Sequence, residues 1–300
     1  MRVAIIGAGF SGCFLARQLE KKNIDVTLFE KSRGVGGRMA TRYDKDFSIN
    51  HGCANIIPTR LDFKVFCEEL VNKDLLYKQE SNHYKSNEMN RLLKYLTQNV
   101  KVIKNTLIKK VSYSNGKYML RDQHYKNYSN FDFLFLTIPS KQIIELDILL
   151  EDKVQKKLNN VSFDSIVTLA LYGNEVQYLD TITLSSMKHL HKLYIQDSKT
   201  LIIHMDRAFS NQYNHLNQEM LKPLVINEIQ KVFPPFQIEK YQHFIHLWKY
   251  GLTHKAYGEP FIYNKKKHYA LCADWLLGDS VEDAYHSVNA FLNAHASHFS

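Results

Sequence analysis

The strongest constraint on how this chain folds lies between residues 2 and 30. An apolar run, Arg2-Val3-Ala4-Ile5-Ile6, leads into Gly7-Ala8-Gly9-Phe10-Ser11-Gly12, and a second run, Asp25-Val26-Thr27-Leu28-Phe29, ends on Glu30. Short runs rich in Val and Ile read as strands buried in a parallel sheet. Gly7 then allows a tight turn, Gly9 lets backbone approach a pyrophosphate, and Gly12 lets the next helix pack close to the strand. Ser11 to Glu20, with Phe14, Leu15 and Leu19 as apolar positions, forms that helix. Its free N–H groups and positive dipole end face a diphosphate, with Phe10 and Ser11 at the mouth. Glu30, eighteen residues beyond Gly12, stands where a carboxylate accepts both hydroxyls of a ribose. Strand, glycine triplet, helix, strand and acid in this order describe a site for the ADP half of a dinucleotide.

The next stretch is Glu30-Lys31-Ser32-Arg33-Gly34-Val35-Gly36-Gly37-Arg38-Met39-Ala40-Thr41. Its glycines, Gly37 among them, permit close backbone approach, and Arg38 offers a forked cation to a pyrophosphate; a solvated surface arginine is the alternative. This stretch resembles the second motif of the flavin amine oxidase superfamily and, within it, the renalase-like FAD-dependent oxidoreductases. The resemblance implies FAD rather than NAD, with Lys31 beside the ribose acid and Arg38 on the pyrophosphate. That family continues to a Gly-Ala-Gln-Tyr stretch beside the flavin. The corresponding segment here is Asn50-His51-Gly52-Cys53-Ala54-Asn55, which keeps the glycine and lacks the Gln-Tyr pair. Gly52, Cys53 and Ala54 are accordingly expected near the flavin ring.

Bulk properties suit a two-domain protein. Three hundred residues with 45% hydrophobic side chains can fill substantial cores, and 12% aromatic residues suit a flat cofactor pocket. No apolar run approaches the ~20 residues of a membrane helix, and the first strand starts at residue 2, so no signal peptide or membrane association is expected. Cys13, Cys53, Cys67 and Cys272 are widely spaced and form no metal or redox motif; reduced thiols in a cytoplasmic protein are the simplest reading. Net charge is +9, but the basic residues are scattered, so no nucleic-acid partner is expected. The densest run, Lys265-Lys266-Lys267-His268, falls between apolar segments, where a hairpin turn exposes it. The overall basicity favours anionic substrates such as dinucleotides.

Beyond residue 55 the pattern reads as two interleaved domains. A Rossmann-type FAD-binding α/β domain with a parallel sheet takes residues 1–56, 88–140 and 252–300. A substrate domain built on an antiparallel sheet plus helices takes 57–87 and 141–251. Helical spacing joins Phe63, Phe66, Cys67, Leu70 and Val71, and again Met89, Leu92, Leu93 and Leu96. Asn99 to Tyr118 reads as short strands, with Ser114-Asn115-Gly116-Lys117 as a hairpin turn. Phe131 to Ile138 reads as a buried strand that stops at Pro139. In the resembled family a strand valine contacts the adenine side, and Val111 is its match here; ordinary strand core is the alternative. Ile166 to Leu171 and Leu201 to Ile203 read as strands of the antiparallel sheet, with a helix after Pro223.

Near the C-terminus, Tyr269 to Trp275 reads as a buried strand ending in Asp274, and a helix begins at Ser280 with Asp283 completing a capping box. The resemblance implies that Asp274 reaches a ribityl hydroxyl and that the helix start, with Val281, faces the flavin; a strand-end cap is the alternative for Asp274. FAD is expected to be non-covalent, because Cys272 sits inside an apolar strand. Hydride transfer needs stacking and orientation more than an acid or base. Of the fourteen histidines, His51 and His246 are the catalytic candidates, with Trp248 beside them. Trp248, Tyr250 and Trp275 could wall a planar substrate. The resemblance implies oxidation of an isomeric dihydronicotinamide dinucleotide, with dioxygen as electron acceptor and hydrogen peroxide as product. A flavin amine oxidase or other desaturating oxidase is the alternative within this fold, and a non-catalytic flavin-binding sensor or assembly protein the alternative outside catalysis.

Overall fold

Val3, Ala4, Ile5 and Ile6 are all buried, with no polar alternation, because their strand is covered on both faces. The computed structural model describes residues 1–79, 82–174, 176 and 184–299. Its central sheet has the spatial order Ile262–Asn264, Tyr269–Leu271, Phe133–Leu136, Arg2–Ile6, Asp25–Phe29, Lys101–Ile103. All pairings in it are parallel except the edge hairpin Ile262–Asn264 with Tyr269–Leu271. Lys265 to His268 form that hairpin's turn, as the charge run implied.

One face of this sheet packs against the helices Phe10–Glu20 and Val281–Ala294, with Leu61–Val71 and Met89–Leu96 alongside. Phe63, Cys67, Leu70, Leu75, Leu76 and Tyr84 belong to this same core. These six residues thus pack with the helices of the parallel sheet and not with the antiparallel sheet of the middle region, to which the sequence reading joins them. The other face is covered by a small sheet that includes Ile108–Ser114 and Lys117–Asp122, and by the helix Asp152–Asn160. Asn115 and Gly116 both take positive φ at the predicted hairpin turn.

Three element boundaries differ from the sequence reading. The apolar run from Phe131 is divided at Asp132: Phe131 closes the hairpin strand Asn127–Phe131, and only Phe133–Leu136 enters the parallel sheet. Asp132 exchanges hydrogen bonds with the backbone of Arg2, which a continuous strand would not permit. Tyr269–Leu271 is the final parallel strand, and Asp274 opens a short 3-10 turn instead of ending the strand. The helix placed after Pro223 begins earlier, spanning Gln218–Val232 with Pro223 inside it. The Asn217 side chain accepts the Met220 N–H there, and this cap sets the start more strongly than the proline does.

The third sheet is antiparallel, ordered Leu190–Asp197, Thr200–Met205, Ser162–Tyr172, Gln242–Lys255. Val167, Leu169, Leu171, Leu201 and Ile203 turn toward the helix Gln218–Val232 and fill a separate core. Alternation therefore sends Ile166, Thr168, Ala170 and Tyr172 to the opposite face, which looks toward the nucleotide region. Ala170, Tyr172, Ile202 and Phe244 meet Ile49 of the nucleotide region on that side.

Candidate active site

A cleft of about 1530 Å³ opens between the two regions, bordered by Gly7, Glu30 and Thr137 at the carboxyl ends of three central strands. That is where open α/β sheets bind ligands. The volume exceeds the ~300–1,000 Å³ typical of one small-molecule site, so a cofactor and a substrate fit together. The first turn of the helix Phe10–Glu20 borders it through Phe10 and Ser11. Gly12 does not border it: a Cβ there would lie 1.9 Å from the Gly7 carbonyl, so this glycine serves the close packing of turn on helix. A Cβ on Gly9 would meet nothing within 4 Å, which leaves open room where a pyrophosphate must approach. Gly37 packs directly against Gly9, so the second glycine motif adjoins the first.

Glu30 is buried, and its two oxygens accept the Ala8 N–H at 2.9 Å and the Ser32 N–H at 2.8 Å. Those bonds fix the carboxylate and leave each oxygen a lone pair for a ribose hydroxyl. Lys31 is exposed beside it on the cleft rim. Arg38 does not stand free. Its guanidinium donates to Asp274 at 2.6 Å and to the Gly251 carbonyl at 3.3 Å, so the two residues expected at different parts of the cofactor meet each other.

Gly52 lies under Arg38, where a Cβ would come within 2.1 Å of the Arg38 carbonyl, and the Cys53 N–H donates to that carbonyl at 2.7 Å. Cys53 borders the cleft; burial pushes its thiol up to about 11, so it is a neutral thiol. Ala54 is buried behind the lining, and Cys272 is sealed in the core. Val111 is likewise a core residue of the small sheet; the neighbouring Thr106 to Lys109 border the cleft instead. Trp275 is also withdrawn, with its Nε1 donating to the Ile138 carbonyl at 3.0 Å, so Trp248 and Tyr250 are the aromatic wall.

At that wall the His51 ring stacks on Trp248, centroids 5.1 Å apart, and His246 lies 4.2 Å from Trp248 and 4.9 Å from His51. The His51 carbonyl accepts from Trp248 Nε1 at 3.2 Å and pairs with His204 Nε2 at 3.2 Å. A carbonyl only accepts, so His204 carries its proton on Nε2 in this arrangement. Burial lowers His51 and His204 to about 4, with His246 and Arg42 adding to the effect at His51. Burial, and then the charge of Arg42, lowers His246 too. All three imidazoles are neutral near pH 7.

Asn50 secures the segment before His51: its side chain accepts from Thr41 Oγ1 and from the Met89 N–H, and donates to the Ser86 carbonyl. The C-terminal helix Val281–Ala294 presents Val281 to the cleft and is started by the reciprocal Ser280–Asp283 box. Glu282, at the edge of the cleft, accepts from Thr59 and from the Arg60 N–H at the entrance of Leu61–Val71. Sequence reasoning missed Asn50, Arg42, Lys192, His204 and Thr168. The one signal was Thr168, a lone hydroxyl within an otherwise apolar run.

Residues 5–70 match the model of the NAD(P)-binding Rossmann-like domain. The nucleotide region is Rossmann-like. Two curated relatives are redox enzymes by name. A 4,4'-diapolycopen-4-al dehydrogenase from Metabacillus indicus is 30% identical over 111 residues, 33% of this chain and 23% of that protein. A 4,4'-diapophytoene desaturase (4,4'-diaponeurosporene-forming) from Staphylococcus aureus is 37% identical over 57 residues, 19% of this chain and 11% of that protein. The chain thus spans under a quarter of these relatives' length. Among solved structures, a protein provisionally named a protoporphyrinogen oxidase, from Exiguobacterium sp. 255-15, superposes with TM-score 0.76 at 13% identity, covering 98% of both chains. A CLA-producing fatty acid isomerase from P. acnes gives TM-score 0.69 at 12% identity with the same 98% coverage of each. These likenesses extend the shared fold from the Rossmann-like domain to the antiparallel sheet. Among the described residues, no helix is long and apolar enough to cross a membrane.

Proposed function

We propose that this chain is an FAD-dependent oxidoreductase that oxidises an isomeric dihydronicotinamide dinucleotide, in the manner of renalase-like enzymes. The observation that carries this reading is the charge of the cleft: ten Lys and Arg against five Asp and Glu border it. Four of those acids are already engaged, Glu30 by backbone N–H groups, Asp274 by Arg38, Asp279 by Arg207, and Glu282 by Thr59 and Arg60. A dinucleotide cofactor alone leaves cations without a counter-charge, whereas a second phosphate-bearing ligand uses them. A long apolar substrate would gain nothing from such a lining.

The residues present fit FAD. Gly9 leaves space for the pyrophosphate, Glu30 is fixed to receive a ribose, and Arg38 is held within reach of both the first glycine motif and Asp274. FAD, when bound there, would supply the hydride acceptor and the electron path to dioxygen, with hydrogen peroxide as product. His51 and Trp248 form a flat wall that orients a planar substrate ring, and neutral His246 donates or accepts a hydrogen bond at that ring without taking a full proton. No residue needs to remove a proton, since the C–H leaves as hydride. That agrees with the lowered histidines, which are poor bases at neutral pH.

The test is anaerobic mixing of the FAD-loaded protein with aged NADH rich in isomers, with ordinary NADH, and with a panel of amines. Rapid bleaching of the flavin by the isomers alone, then recovery in air with one hydrogen peroxide per turnover, is expected. Bleaching by amines and not by the isomers would make it an amine oxidase, and bleaching by none of them would leave a flavin-binding protein without turnover.

A further inference from the structure

One row of side chains crosses the cleft face of the antiparallel sheet. Strand register pairs Lys192 with His204, His204 with Thr168, and Thr168 with His246. Directly paired residues project from the same face, so all four share the face that carries His246 into the cleft. At ~4.8 Å per strand, the ends of the row are ~14 Å apart. Thr168 is fully buried, and its hydroxyl has no hydrogen-bond partner among the described residues, so the row contains a polar group that the fold itself does not use.

Lys192 occupies the open end of the row on an edge strand. It borders the cleft, is exposed, and has no carboxylate partner within ion-pair distance among the described residues. The ladder is irregular between Leu190 and Lys192, and such bulges re-aim side chains beside functional sites. Cys53 also borders the cleft, and the positive charge of Lys192 acts on both Cys53 and His204. A lysine placed only to block edge pairing has no need to face a cleft.

The geometry points to Lys192 as the residue that selects a phosphate-bearing substrate, its ammonium holding the phosphate at the far end of the row from His246 and Trp248. This assignment rests on the reading that the substrate is a nicotinamide nucleotide. Nicotinamide mononucleotide and nicotinamide riboside test it, because they differ by one phosphate. Titration of each into the FAD-loaded protein is followed by quenching of Trp248, since Trp275 is sealed in the core.

Wild type should bind the mononucleotide about tenfold more tightly, the worth of one charge-assisted contact. Lys192→Met should abolish that preference and leave riboside affinity unchanged, and Lys192→Arg should retain it. Equal binding of the two by wild type, binding of neither, or a preference that survives in Lys192→Met overturns the assignment. The isomeric dihydro forms of both are then tested for flavin bleaching. If the Lys192-dependent preference is present and neither reduced form bleaches the flavin, the anchor stands and the proposed reaction falls.

Discussion

At the scale of single residues, two features set what this site tolerates. Gly52 has no room for a methyl group, because a Cβ would sit 2.1 Å from a backbone carbonyl that cannot rotate away. Gly52→Ala should therefore destabilise the fold by ~1–3 kcal/mol as an overpacked site, and should displace Arg38 from Asp274. A urea midpoint lowered accordingly, together with weaker flavin retention, is expected; an unchanged midpoint would mean that the segment relaxes freely. The buried imidazoles of His51 and His204 bring a pH dependence. Each ordinarily titrates at 6.5 and is lowered to about 4 in the fold. Between those values the unfolded chain binds more protons, so stability rises with pH across the window and levels off above about 6.5. The loss on acidification reaches at most ~3 kcal/mol per histidine. Unfolding measured from pH 7.5 down to 4.5 should reproduce that slope, and His204→Gln should flatten part of it.

At the scale of elements, the C-terminal helix joins the fold to the site. Ser280 and Asp283 cap it locally, whereas Glu282 reaches across to Thr59 and Arg60 and anchors the start of another helix. Ser280→Ala should cost ~1 kcal/mol, the usual worth of a cap. Glu282→Ala should cost more, because three donors lose a charged acceptor; thermal unfolding that ranks the two the other way would put Glu282 outside the framework. The local box was legible in the sequence because it spans three residues. The longer contact was not, since 222 or 223 positions separate its partners.

The same difference in range explains the rest of what the sequence revealed. The glycine triplet, its helix and Glu30 depend on neighbours within one strand–helix–strand unit, and they fold as the spacing implies. Arg38 and Asp274 were each identified, but their pairing joins residues 236 apart. Val111 and Trp275 matched the character of lining residues, yet Val111 packs inside the small sheet's core and an indole hydrogen bond holds Trp275 there too. The row from Lys192 to His246 depends on the register of four strands, which no single segment encodes.

At the scale of the whole molecule, a parallel sheet and an antiparallel sheet enclose one cationic cleft between them. Binding of a dinucleotide substrate should weaken as salt is raised from about 0.02 to about 0.3 M, where the Debye length falls below ~10 Å. Salt-independent affinity would separate the charge of the cleft from recognition. All of this depends on the cofactor. The most direct test is the absorption spectrum of the purified protein after saturation with FAD and removal of the excess, compared with Glu30→Ala treated in the same way. FAD binding predicts bands at about 370 and about 450 nm at one flavin per chain, strongly reduced in Glu30→Ala. A colourless protein that takes up no FAD, or a Glu30→Ala protein that holds FAD as well as wild type does, would contradict it.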